Sequence, residues 1–255
     1  MFLIDYTLHL ADNTLILAQR NGEWCGHGPI LEQDIAITNI SLDLIGQSRN
    51  FYQYAAALIN EKPGHPLQPA TEDSLAYLRT ERSFKNCLLV EQPIGDWAQT
   101  ILRQFLFSVY QFGLYEKLQS VKDAQLSAIA AKALKEVTYH VSWSSEWVTR
   151  LGDGTEESHG RVLKAIEELW PFTGELFLPA EYEQEALNAG TGVDLAEIQK
   201  DWKKKVTDVF DEATLTAPEK VFAQTGGKQG IHTEQLGYIL TDLQYLQRTY
   251  PGAEW

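Results

Sequence analysis

The sequence predicts an all-α protein built on a helical bundle, on three grounds. Apolar residues recur every three or four positions over long stretches, strand-like alternation is nearly absent, and Gly/Pro punctuation falls between the periodic stretches rather than inside them. Helix-on-helix packing is the layer arrangement left for such a chain.

The elements follow in order. Tyr6 to Cys25 places Leu10, Thr14, Leu17 and Ala18 on one stripe. After Gly26-His27-Gly28, Pro29 suits a first helical position, and Ile37, Ile40, Leu44, Gln47, Phe51 and Tyr54 then line one face of a helix of about 30 residues. Asp96 to Gln119 repeats the pattern with Ile101, Phe105, Ser108, Phe112 and Tyr115. Asp123 to Leu151 repeats it with Ala130, Ala133, Val137, His140, Ser144 and Trp147. Thr155–Trp170, Leu195–Leu215 and Thr233–Thr249 supply further helices packed around the four long ones. No fixed-period repeat and no Ser/Gly linker divides the chain, so residues 1–255 are expected to form a single helical domain.

Composition narrows the function classes. The 255 residues carry 35 acidic against 21 basic side chains, a net charge of −14, with a pI near 4.8. Such a chain repels phosphate backbones and anionic lipid surfaces, so neither nucleic acid nor a membrane is an expected partner. No apolar run reaches the roughly 20 residues that span a bilayer, and Met1 to Leu10 carries Asp5 and no basic residue, unlike a signal peptide. The two cysteines, Cys25 and Cys87, lie outside any CxxC spacing and read as reduced thiols of a cytoplasmic protein.

Bundles of this kind often hold a di-iron centre, with a Glu on each of two helices and Glu-x-x-His on each of the other two. The sole Glu-x-x-His here is Glu156 to His159; with 22 Glu and 6 His, chance supplies roughly half such a match. Its setting, behind Gly152-Asp153-Gly154 with Thr155 as N-cap, is that of a capped first turn. The mid-helix stripe positions of the long helices are Thr14, Leu44, Ser108 and Val137, none a carboxylate, and the one imidazole on such a stripe is His140, expected to be a hydrogen-bonded core residue.

These residues carry a family resemblance. Ser41-Leu42-Asp43-Leu44-Ile45-Gly46-Gln47 resembles the Asp-Glu-x-Gly-His helix of bacterial phenylacetyl-CoA oxygenase catalytic subunits, with Leu44 and Gln47 where that family has its iron ligands. Lys135-Glu136-Val137-Thr138-Tyr139-His140 resembles its Lys-Glu-Glu-Ser-Phe-His, with Val137 at the ligand Glu and His140 retained. Trp24 and Pro29 then set Thr14 at the first-helix carboxylate, and Trp97 sets Ser108 at the remaining one. Five of the six ligand positions have lost their ligand. Arg20 to His27, Asp43 to Phe51, Leu88 to Pro93 and Thr225 to Gly230 with His232-Thr233-Glu234 are similar to the non-catalytic companion subunits of ring-1,2-phenylacetyl-CoA epoxidases, of the phenylacetic acid catabolic proteins.

The resemblance implies a ferritin-like bundle without metal or cofactor of its own, in a stable hetero-oligomer with a di-iron catalytic oxygenase subunit. Further oxygenase and reductase subunits would bring electrons from NADPH, and the complex would epoxidise the ring of a CoA thioester with O2. Two other readings stay open at this stage: an independent di-metal oxidase using Asp43, Glu136 and His140, and an acyl-CoA-binding protein.

Other groups are less telling. Gly226, Gly227, Lys228 and Gly230 before the last helix form a glycine-rich turn; an anion nest touching a CoA phosphate or a partner chain is the sharper alternative, although the P-loop spacing fails. Lys203-Lys204-Lys205 reads as a solvated face, and no Gly-x-Ser-x-Gly supports a hydrolase.

Overall fold

A computed structural model of the chain describes residues 1–219 and 221–253. Ten α-helices occur among them and no strand. They are α1 (Phe2–Gly22), α2 (Leu31–Asn60), α3 (Glu72–Tyr77), α4 (Leu88–Glu91), α5 (Trp97–Leu118), α6 (Ala124–Gly152), α7 (Glu156–Leu169), α8 (Glu181–Ala189), α9 (Leu195–Glu212) and α10 (Glu234–Thr249). Short 3-10 turns lie at Glu81–Ser83, Trp170–Phe172, Gly174–Phe177 and Gly227–Gln229.

Helices α5, α6 and α7 begin where side chains satisfy the first free amides. Asp96 accepts from the Gln99 amide at 3.0 Å, Asp123 from the Gln125 and Leu126 amides at 3.1 and 2.9 Å, and Thr155 from that of Ser158 at 3.1 Å. At α2 the boundary differs from the expected one by two residues: Ile30, in extended backbone, is the N-cap and Leu31 opens the helix, so Pro29 lies outside it. Likewise α1 starts at Phe2 and stops before Cys25, and α9 stops before Leu215.

The bundle core is made by α1, α2, α5 and α6, with α1 packed on α2, α5 on α6, and α2 on α6. Hydroxyls weld the first pair, Ser41 donating to the Ala18 carbonyl at 2.8 Å and Ser48 to that of Ala11 at 3.1 Å. At one end Trp24, Trp97 and Trp143 stack edge to face, with centroids 5.1 and 6.2 Å apart, and the Trp24 indole donates to Thr100 at 2.8 Å. Outside this core, α7 and α9 lie on α5, where Trp202 donates to the Leu106 carbonyl at 2.8 Å, and α8 and α10 lie on α1. Sandwiched between layers, α1 is buried over almost its whole length from Ile4 to Asn21. No described helix is long and apolar enough to cross a membrane.

Candidate functional site

The six positions that the resemblance aligns with iron ligands are all buried. Leu44 of α2 and Val137 of α6 are packed completely into the apolar core. Thr14 turns its hydroxyl back on α1, donating to the Ala11 carbonyl at 2.9 Å and the Leu10 carbonyl at 3.2 Å. Ser108 accepts from the Gln104 side-chain amide at 2.7 Å, and Gln104 accepts in turn from Asn21 of α1 at 2.7 Å. These bonds tie α1 to α5.

Gln47 is the hub of a second network. Its Oε1 accepts from Gln111 Nε2 at 3.0 Å and from the Tyr115 hydroxyl at 3.4 Å, both on α5, while its Nε2 donates to Glu136 of α6 at 2.9 Å. Burial raises the Tyr115 phenol above its ordinary pKa and keeps it a neutral donor. One amide thus joins three helices. His140 is fully buried, and its Nε2 meets Asp43 of α2 at 3.0 Å, where the carboxylate is partly exposed. Asp43 and Glu136, which the alternative metal reading would recruit with His140, are therefore engaged separately at the α2–α6 seam, and among the described residues no three His, Cys, Asp or Glu side chains converge to hold a metal ion.

The donor set does not fit a di-iron pair. Such a pair requires several hard carboxylate oxygens converging with imidazoles, and the positions in register offer two hydrocarbons, two hydroxyls, a carboxamide and one imidazole. The Glu156–His159 motif is a capped first turn in the structure, with His159 Nδ1 on the Gly152 carbonyl at 2.6 Å.

Charge is buried instead on the other side of α1, among residues that the periodicity does not single out. Asp12 pairs with Arg79 and takes the Tyr52 hydroxyl at 2.6 Å. Glu91 takes Asn86 and His232 at 2.8 Å on one oxygen and the Thr233 amide and hydroxyl at 2.7 and 2.8 Å on the other. Glu183 pairs with Lys228 at 2.9 Å. Burial works to raise the Glu183 pKa, but Lys228 and His9 beside it hold it below the ordinary value; burial works to lower Lys228, and Glu183 raises it above its own. His9 lies 3.5 Å from Glu183, and burial lowers its pKa against the opposing pull of that carboxylate; its Nδ1 donates to the Lys85 carbonyl at 2.7 Å. The available signal was His9, Asp12 and Asn13 inside an otherwise apolar stretch of α1.

The glycine-rich turn belongs to this belt. The Gly226 amide donates to Glu175 at 2.8 Å, Leu88 donates to the same carboxylate at 2.7 Å, and the Lys228 ammonium is buried on Glu183 and the Leu178 carbonyl. The Lys228 ammonium is thus paired within the chain. Gly230, at φ +78°, could not carry a Cβ, which would lie 2.3 Å from the Arg82 carbonyl oxygen. Lys203, Lys204 and Lys205 are solvent-exposed.

A family model described as phenylacetic acid catabolic protein matches residues 1–255. The chain belongs to this family. It is 47% identical over 253 residues to a subunit of the 1,2-phenylacetyl-CoA epoxidase of Escherichia coli (strain K12), covering 99% of both chains. A solved structure from Synechococcus, described as Protein 19 with aldehyde deformylating oxidase activity, matches over 85% of this chain and 88% of its own at 15% identity and a TM-score of 0.44, a remote likeness.

Proposed function

We propose that the chain is the structural, non-catalytic subunit of a cytoplasmic phenylacetyl-CoA monooxygenase, a ring epoxidase of aerobic phenylacetate catabolism. It would support a separate di-iron catalytic subunit, with further oxygenase subunits and a reductase delivering electrons from NADPH. The full-length similarity to an epoxidase subunit supports the complex. The observation that carries the non-catalytic role is the filling of the ligand positions by Leu44, Val137 and the self-satisfied Thr14, Gln47 and Ser108. Apolar packing in place of buried carboxylates removes a desolvation cost and leaves a bundle that needs no metal to be stable.

Reconstitution tests it. The purified chain should carry no stoichiometric iron or manganese and show no oxygenase activity with phenylacetyl-CoA, while its addition to the di-iron subunit and reductase should raise substrate-dependent NADPH consumption. Iron at one or more atoms per chain surviving dialysis, or full activity of the di-iron subunit without this chain, would overturn the proposal.

A further inference from the structure

The outer face of α2 is apolar where a surface helix is ordinarily polar. The inner face buries Ile37, Ile40, Leu44 and Phe51 in the core, yet Leu31 is 71% exposed, Leu42 59%, Ile35 51% and Ile45 40%. Single exposed aliphatics are unremarkable. These four, at successive spacings of four, seven and three, with Thr38 filling the gap, trace the a/d seam by which one helix lies along another. The seam runs for about 21 Å at the rise of an α-helix.

Gly46 is an independent sign. It sits mid-helix and exposed beside Ile45 and one turn from Leu42, where glycine weakens a helix, and a Cβ there would meet no atom within 4 Å. The chain's own packing does not call for this glycine. A small residue on an outward apolar stripe serves the close approach of another backbone. Tyr139 of α6, next to His140 in the chain, is also exposed.

Charge selects the occupant. The seam is flanked on α2 by Glu32, Asp34 and Asp43, while Arg49, one turn beyond Ile45, is paired with Glu72; a second copy would set −14 against −14 across this margin. From the seam, the glycine and this acidic margin we infer that the α2 face from Leu31 to Gly46 is the docking site for a helix of a different subunit, one with an apolar stripe flanked by Lys or Arg. This rests on the reading of the chain as a subunit of the epoxidase and assigns that role to a surface.

The test is co-expression of the full chain with the catalytic subunit, followed by size-exclusion chromatography and a binding titration. Leu42→Glu/Ile45→Glu, on exposed positions, should keep the helical circular dichroism yet bind at least about tenfold more weakly, because two carboxylates enter a desolvated seam. Gly46→Gln should raise the Tm of the isolated chain, since it restores helix propensity, while also weakening binding. A purely internal role for Gly46 could not move the two in opposite senses. Tyr238→Ser/Tyr245→Ser, exposed on α10, should bind like wild type. If wild type joins the catalytic subunit and the α2 variants join equally well, the docking inference falls and the subunit reading stands. If wild type does not join at all, both fall. If wild type alone runs as a dimer that Leu42→Glu/Ile45→Glu splits, a second copy covers this face and the inference is overturned.

Discussion

Two polar regions flank α1, and they solve the problem of buried polarity in opposite ways. On the bundle side, Thr14 bonds the carbonyls of its own helix, Gln104 donates to Ser108 and Gln111 to Gln47, neutral groups set among apolar neighbours such as Leu44 and Val137. On the other side, Asp12–Arg79, Glu91–His232 and Glu183–Lys228 are buried charge pairs joining segments 67, 141 and 45 residues apart. A buried carboxylate is tolerable where a cation and several donors converge on it, and costly where they do not. The bundle positions have no such cations, and they hold no carboxylates. The belt does have them, and it fastens the connection preceding α4, α8 and the approach to α10 onto the central helix.

The largest expected effect comes from unbalancing a belt pair. Asp12→Asn leaves the Arg79 guanidinium buried against Tyr52 and the Phe84 ring without its counter-charge, and should cost about 3–5 kcal/mol in urea unfolding. A cost below about 1 kcal/mol would mean that the belt is dispensable and would dissolve the contrast between the two regions.

A smaller effect is expected on the bundle side. His140→Ala removes a buried ring and its bond to Asp43, but Asp43 can turn to water, so the loss should be about 1–3 kcal/mol. Turnover of the assembled complex should fall only in proportion to folded, bound chain. Unchanged Tm and partner binding with activity abolished would make His140 functional and would sharpen the two regions in a different way.

What the sequence disclosed follows from what has a local signature. The seven long helices carry the 3.6-residue period, and Asp96, Asp123 and Thr155 announce their own capping bonds. The helices α3, α4 and α8 have six, four and nine residues, too few turns for a period to stand out, and the sequence reading does not include them. At the candidate site, Thr14, Leu44, Gln47, Ser108, Val137 and His140 could be placed by register, whereas their partners Gln104, Gln111 and Tyr115 acquire a role only once α5 faces α1 and α2. The belt is the extreme case. Its pairs are fixed by tertiary folding alone, and the lysine of the glycine turn, which looks on paper like a phosphate ligand, proves to be the counter-charge of Glu183.

The smallest expected effect is a pH dependence that arises in the belt. Both ring nitrogens of His232 face acceptors, Glu91 at 2.8 Å and the Phe84 carbonyl at 3.0 Å, an arrangement that only the doubly protonated ring satisfies. Burial works to lower its pKa, but the hydrogen bond and charge of Glu91 outweigh it and the net shift is upward from 6.5. A histidine whose folded pKa lies above its unfolded value lends stability that is complete below the unfolded pKa and is lost as pH rises through the folded one. His9, lowered by burial, has the opposite sign: its contribution is complete above 6.5 and is lost as pH falls through the lowered value, so it is silent in the alkaline window. The His232 contribution to the urea midpoint should therefore decline between about pH 6 and about pH 9, and His232→Gln should remove that component while lowering stability most at the acid end. An identical decline in wild type and His232→Gln would show that the Glu91–His232 pair is not an ion pair in the folded chain, and the belt would then hold two buried charge pairs where three are described.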